Sequence, residues 1–170
     1  MSKLLSFDFW QRFGKSLIVV IAVMPAAGIM ISLGKVVAMY SGGVGAIETL
    51  GAIMENIGWG VIVNLHLLFA VAIGGSWAKE RAGGAFAALI AFILINRITG
   101  VILGVDNAML SEPEAVVMSL FGSELPVSQF FTNILGAPAL NMGVFIGIMS
   151  GFLGANLFNR FMTSLAYLRH

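Results

Sequence analysis

Four polar side chains interrupt otherwise apolar stretches of this sequence: Asn64 and His66 in one, Asn96 and Arg97 in another. Such groups are costly at membrane depth and usually face a cavity or a partner. If the two stretches are antiparallel helices, a rise of 1.5 Å per residue puts Asn64 about 10 Å and Arg97 about 12 Å from their outer ends. At a shared depth, the amides and the guanidinium could line a path for a polar solute. Against this, Arg97 could snorkel outward or bond helix carbonyls, as membrane arginines commonly do. His66 makes no metal site, because no second His, Cys or carboxylate stands beside it.

Catalytic chemistry has no foothold. No Walker loop, nucleophile elbow or metal-ligand spacing is present. Gly42-Gly43-Val44-Gly45 is glycine-rich, but it follows no strand and reads as a loop. The absence of cysteine excludes disulfides, thiolate metal sites, cysteine nucleophiles and a phosphocysteine within these residues. A net charge of +1 gives no electrostatic case for nucleic acid. No cofactor or metal is expected.

The elements that position the polar groups follow from composition. Of the 170 residues, 59% are hydrophobic and only 10% charged. Mean hydropathy is +0.98. A water-soluble fold of this size has too few charges to cover that much apolar surface. The expected fold is an all-α polytopic transmembrane helix bundle in a lipid bilayer. Residues 16–34, 57–77, 83–105 and 141–158 are each long and apolar enough to cross the hydrocarbon. Residues 1–14 are expected to form an interfacial helix, with Phe9, Trp10 and Phe13 on the apolar face and Lys3, Asp8 and Arg12 toward headgroups. An aromatic belt before a span is the plainer reading. A cleaved signal peptide fits less well, because the uncharged run exceeds a typical h-region.

Charge sets the orientation. Lys3, Arg12, Lys15, Lys79, Arg81, Arg160 and Arg169 fall on one side of a four-span arrangement, and they are seven of the nine basic residues. The opposite loops carry Lys35 with Glu48 and Glu55, then Asp106, Glu112, Glu114 and Glu124. Positive residues mark cytoplasmic loops, so both termini are expected in the cytoplasm. The turn Trp77 to Gly84 is so short that the spans it joins must be neighbours. The apolar content of residues 123–140 suggests a short external helix lying on or dipping into the bilayer, where irregular backbone needs protein cover.

Gly143, Gly147, Gly151 and Ala155 recur every four residues and form a groove along the last span. Such a groove marks close helix contact without naming the partner: a dimer or domain interface, or packing within the chain. Pro25 is expected to bend the first span, as a hinge or, more commonly, as a static kink.

Three ordered blocks carry a family resemblance. Phe13-Gly14-Lys15-Ser16-Leu17 with Val23 to Gly28 resembles the start of Enzyme IIC, the membrane subunit of the bacterial sugar phosphotransferase system (PTS), in its glucose-type branch. Asn64 to Ala78 resembles that branch's N-x-x-L-I-F-A-I-G helix, and Ala137 to Phe161 resembles the helix closing with N-[RK]-[FY]. The resemblance implies a homodimeric sugar permease of the bacterial cytoplasmic membrane, working with IIB and IIA partners that pass phosphate to the incoming sugar, most simply glucose. It reaches to about Phe161, so Met162 to His170 reads as an unrelated tail on a truncated chain. The expected role is the scaffold and dimer half, without the phosphorylation site or the family's main sugar-binding residues. The rival reading is a small standalone membrane interaction protein whose working surface is the glycine groove.

Overall fold

The computed structural model describes residues 6–112 and 117–168. Lys3, Glu114 and Arg169, which entered the charge reading, lie outside them. Helices dominate: α1 Phe7–Ile21, α2 Met24–Met39, α3 Gly45–Val63, α4 Leu65–Trp77, α5 Arg81–Leu103, α6 Asn107–Ser111, α7 Val127–Phe130 and α8 Val144–Leu168. Four segments are long and apolar enough to cross a membrane: Phe7–Met39, Gly45–Val63, Arg81–Leu103 and Val144–Tyr167. The chain is an all-α, multi-pass membrane protein whose few strands are short.

Helices α4, α5 and α8 pack closely together, and α1 lies against α4. The Ser6 hydroxyl caps α1 by accepting from Phe9 N at 3.3 Å. The apolar face of α1 then docks as rings: Phe9 and Phe13 stack on Phe152 at 6.0 Å each and meet Trp77 edge-on. Thus α1 runs unbroken from the expected interfacial residues into the expected first span. Phe9 and Phe13 face protein, while Trp10 remains exposed.

Two expected boundaries are corrected. Residues 57–77 are not one span, because the helix breaks at Asn64 (φ −101°, ψ 16°) between α3 and α4. Residues 45–56, expected in an external loop, are instead helical and pack antiparallel on α2. Glu55, the group that made this stretch look like a loop, is partnered: Lys35 Nζ lies 3.6 Å from its carboxylate, and Trp59 Nε1 donates to it at 3.2 Å. Pro25 stands near the middle of the Phe7–Met39 segment, and the bend expected there coincides with the break between α1 and α2, whose first turn it occupies.

The expected short helix over residues 123–140 is also corrected. Two antiparallel hairpins stand there, β1 (Val117–Leu120) with β2 (Ser123–Pro126) and β3 (Phe131–Ile134) with β4 (Ala137–Leu140), joined by the single turn of α7. Each hairpin closes through two residues with positive φ, Phe121-Gly122 and Leu135-Gly136. That is the geometry of a tight turn matched to strand twist. Phe131, Ile134, Ala137 and Ala139 are buried, seating the second hairpin against α5.

Candidate functional site

His66 sits in the first turn of α4, at the break after Asn64. Its ring stacks on Phe92 of α5, with centroids 5.3 Å apart and planes 23° apart. Among the described residues its Nε2 is buried without a hydrogen-bond partner. One turn along α5 lies Asn96, 4% exposed. Its carboxamide is used from both ends. Nδ2 donates to Phe92 O at 2.9 Å, and Oδ1 accepts from Leu140 N, also at 2.9 Å. A buried strand-end donor is thereby satisfied, as burial requires. A second tie holds the hairpin tip, where Asn107 Nδ2 donates to Gly136 O at 2.8 Å.

Arg97 follows Asn96 and faces two adjoining cavities between α5 and the β3–β4 hairpin. One, of about 210 Å³, is lined by Phe92, Ile93, Ile134 and Ala139 among others. The other, of about 250 Å³, reaches Val105, Asp106 and Asn107. Asn96, Arg97 and Pro138 border both. Arg97 is exposed and forms no hydrogen bond or ion pair among the described residues, so its guanidinium donors remain available. Asp106 supplies carboxylate oxygens at the far wall, one of which caps α6 by accepting from Met109 N at 2.9 Å. An apolar wall, a five-donor fork and an acceptor together can hold a small polar ligand.

The structure therefore brings two of the four sequence candidates, Asn96 and Arg97, to the same cavities. His66 borders neither cavity and meets this region only through its stack on Phe92. Asn64 does not join them through any side-chain bond, because its Nδ2 donates to Gly60 O of its own helix at 2.7 Å. Pro138, Asp106, Asn107 and Leu140 were missed. Among the described residues no three His, Asp or Glu gather to hold a metal.

The glycine groove faces inward. A Cβ on Gly147 would meet the backbone of His66, and one on Gly151 would meet Ile73 and Ala70 O. Gly154, not in the four-residue series, lies against Ala87 and Ala88. Ala155 is buried. Gly143 is not part of the seam: it precedes α8 with φ +55° and open space where a Cβ would stand. The open choice between an interface and packing within the chain is thus decided for Gly147 and Gly151 by their contacts with α4.

At the basic end, the turn between α4 and α5 is fully engaged. Asn159 Oδ1 accepts from Lys79 N at 2.8 Å while its Nδ2 donates to Trp77 O at 3.2 Å. Arg12 Nε donates to Ser76 O at 2.8 Å, a cation at a helix C-terminus, and its guanidinium lies 5.5 Å from the Trp77 ring centroid. Glu80 caps α5 through Ala82 N and Gly83 N.

Comparison with known proteins matches residues 14–167 to the family model described as Phosphotransferase system, EIIC. That match runs past Phe161, so most of the stretch expected to be an unrelated tail lies within the family region. The chain is 62% identical over 157 residues to the PTS system glucose-specific EIICBA component of Streptococcus pneumoniae serotype 4. It is 32% identical over 164 residues to the protein of the same description from Staphylococcus carnosus. These alignments cover 92% and 91% of the chain and 22% of each relative. The chain thus spans about a fifth of the length of the curated relatives it matches.

Proposed function

Because the chain belongs to the phosphotransferase-system EIIC family, we propose that it is the N-terminal scaffold of a glucose-type sugar permease. The observation that carries this reading is the match along nearly all the helices to relatives described as glucose-specific EIICBA components. In the whole protein, uptake of glucose is coupled to its phosphorylation. Phosphate arrives through the EIIB and EIIA partners that the relatives' description implies. This chain supplies no phosphate-carrying cysteine. Its contribution is one wall of the sugar path and the contacts of a homodimer. Both termini lie on the cytoplasmic face of the bacterial membrane, a reading supported by the basic residues at the ends of α1, α4, α5 and α8.

Within that wall, Arg97 offers hydrogen-bond donors to sugar hydroxyls, while Asn96 holds the hairpin that closes the other side. His66 stands behind that wall, stacked on the Phe92 ring. Asn64 acts at the helix break rather than on the sugar. The rival reading, a standalone interaction protein working through the glycine groove, is not favoured, because Gly147 and Gly151 are occupied by α4.

The test is uptake of labelled glucose by the full-length protein in a strain without its own glucose permease. Arg97→Leu should raise the half-saturating glucose concentration at least several-fold at equal expression. Unchanged affinity and rate with Arg97→Leu would remove Arg97 from the path.

A further inference from the structure

We propose that Asp106 is a second specificity residue of the Arg97 site, and that these two opposite charges, held apart across one cavity, select a neutral sugar against acidic and amino sugars. The proposal rests on the sugar reading and narrows its substrate class. Arg97 and Asp106 both line the cavity of about 250 Å³ at the outer end of α5. A guanidinium and a carboxylate lining one cavity are natural partners. Yet among the described residues these two form no ion pair. The path of the chain between them keeps them apart.

Asp106 is fixed by its neighbours on both sides. Helix α5 ends at Leu103, and Gly104 takes the left-handed conformation (φ +65°) that stops a helix sharply. Val105 N then donates to Gly100 O at 2.8 Å, and Gly104 N donates to Val101 O at 3.2 Å. Val105 is buried, which seats the turn. On the other side, Asp106 Oδ1 accepts from Met109 N at 2.9 Å as the N-cap of α6. Asn107, next in the chain, ties this corner to the hairpin tip through Gly136 O at 2.8 Å. Arg97 stands two turns before Gly104, about 10 Å back along the helix axis. The facing wall is equally fixed, because Asn96 Oδ1 accepts from Leu140 N. The gap between the two charges is therefore built into the fold.

A neutral sugar suits such a gap, because its hydroxyls can donate to a carboxylate and accept from a guanidinium. A carboxylate has two oxygens, so the cap bond leaves Asp106 acceptor capacity. A charged sugar gains one attraction and meets one repulsion. A uronate pairs with Arg97 but faces the Asp106 charge, and an amino sugar pairs with Asp106 but faces the Arg97 charge. Discrimination comes from the repulsive element as much as from the attractive one. Deleting either charge therefore admits sugars of the sign that was deleted.

Competition in labelled-glucose uptake by the full-length protein tests this, in cells without their own glucose permease. The competitors are glucuronate and glucosamine, at a slightly acidic pH where one is an anion and the other a cation. Asp106→Ser and Asp106→Asn both remove the charge and keep a side-chain cap for α6. Each should lower the half-inhibiting glucuronate concentration several-fold and raise that of glucosamine. Arg97→Gln should shift both in the opposite sense. Damage to the fold alone cannot produce that reciprocal pattern. If Arg97→Gln shifts the competitors while the Asp106 variants do not, or if both Asp106 variants lose uptake or weaken both competitors alike, Asp106 is only a helix cap and the proposal is overturned with the sugar reading intact. If Arg97→Gln changes neither glucose uptake nor competition, the sugar reading falls and takes the proposal with it.

Discussion

Asn96 and Leu140 lie 44 positions apart in the chain, yet the side-chain oxygen of one accepts from the backbone N–H of the other at 2.9 Å. This bond joins a membrane-spanning helix to the end of a β-hairpin and fixes the wall facing Arg97. Replacing Asn96 with Leu removes the acceptor and leaves the Leu140 donor without its partner, a loss of about 1–3 kcal/mol. The expected result is a lower melting temperature in detergent together with new protease cleavage between residues 131 and 140. An unchanged cleavage pattern would refute the latch.

The Asn159 carboxamide both accepts from Lys79 N and donates to Trp77 O. Asn159→Asp keeps the acceptor and loses the donor, whereas Asn159→Ala loses both. Stability should therefore fall in the order wild type, Asp, Ala, with a total loss of roughly 1–3 kcal/mol for two bonds at a half-open site. Thermal unfolding of the three proteins in one detergent measures the order. Equal loss in Asp and Ala would show that only the Trp77 bond matters.

Gly143 and Gly147 are alike in sequence and unlike in place. Gly143→Asn meets open space, and asparagine tolerates the left-handed backbone found there, so it should be nearly neutral. Gly147→Ala drives a methyl into the His66 backbone and should cost about 1–3 kcal/mol through overpacking. Fluorescence-detected gel filtration after heating distinguishes them. Equal tolerance of both would mean that α8 does not seat on α4 at Gly147.

Lys35 of α2 and Glu55 of α3 pair at 3.6 Å, with the lysine side chain more than half exposed. Lys35→Leu alone leaves the carboxylate with only Trp59, and Glu55→Leu alone leaves an ammonium unpaired. The double change Lys35→Leu with Glu55→Leu removes both charges from an apolar setting. It should be more stable than either single variant, with a coupling of about 0.5–2 kcal/mol. Additive losses in a double-mutant cycle would show that the pair contributes nothing to the packing of α2 on α3.

Much of the architecture could be read directly from the residues. Uncharged apolar runs required lipid as solvent, because nothing in the composition could cover them in water. The family resemblance was likewise visible in short ordered blocks from Phe13 onward. The helix at residues 45–56 escaped because Glu48, Thr49, Glu55 and Asn56 lowered its hydropathy below that of its neighbours. A regular signal was nevertheless present: Ala27 and Gly34, then Gly51 and Gly58, each stand two helical turns apart and present small residues for close backbone contact. The hairpins escaped because an apolar run without strict alternation is equally consistent with helix or strand.

Hydropathy, charge bias and residue spacing are properties of neighbours along the chain, so the sequence alone determined that these segments are membrane helices and which ends are basic. Which face meets which is a long-range choice. Only the folded chain decided that Gly147 and Gly151 close on α4, that Asn96 serves a hairpin strand, and that Gly34, Gly51 and Gly58 meet across α2 and α3. Those outcomes depend on the register between helices, which no local pattern encodes, because a shift of one turn would preserve every periodicity and change every partner.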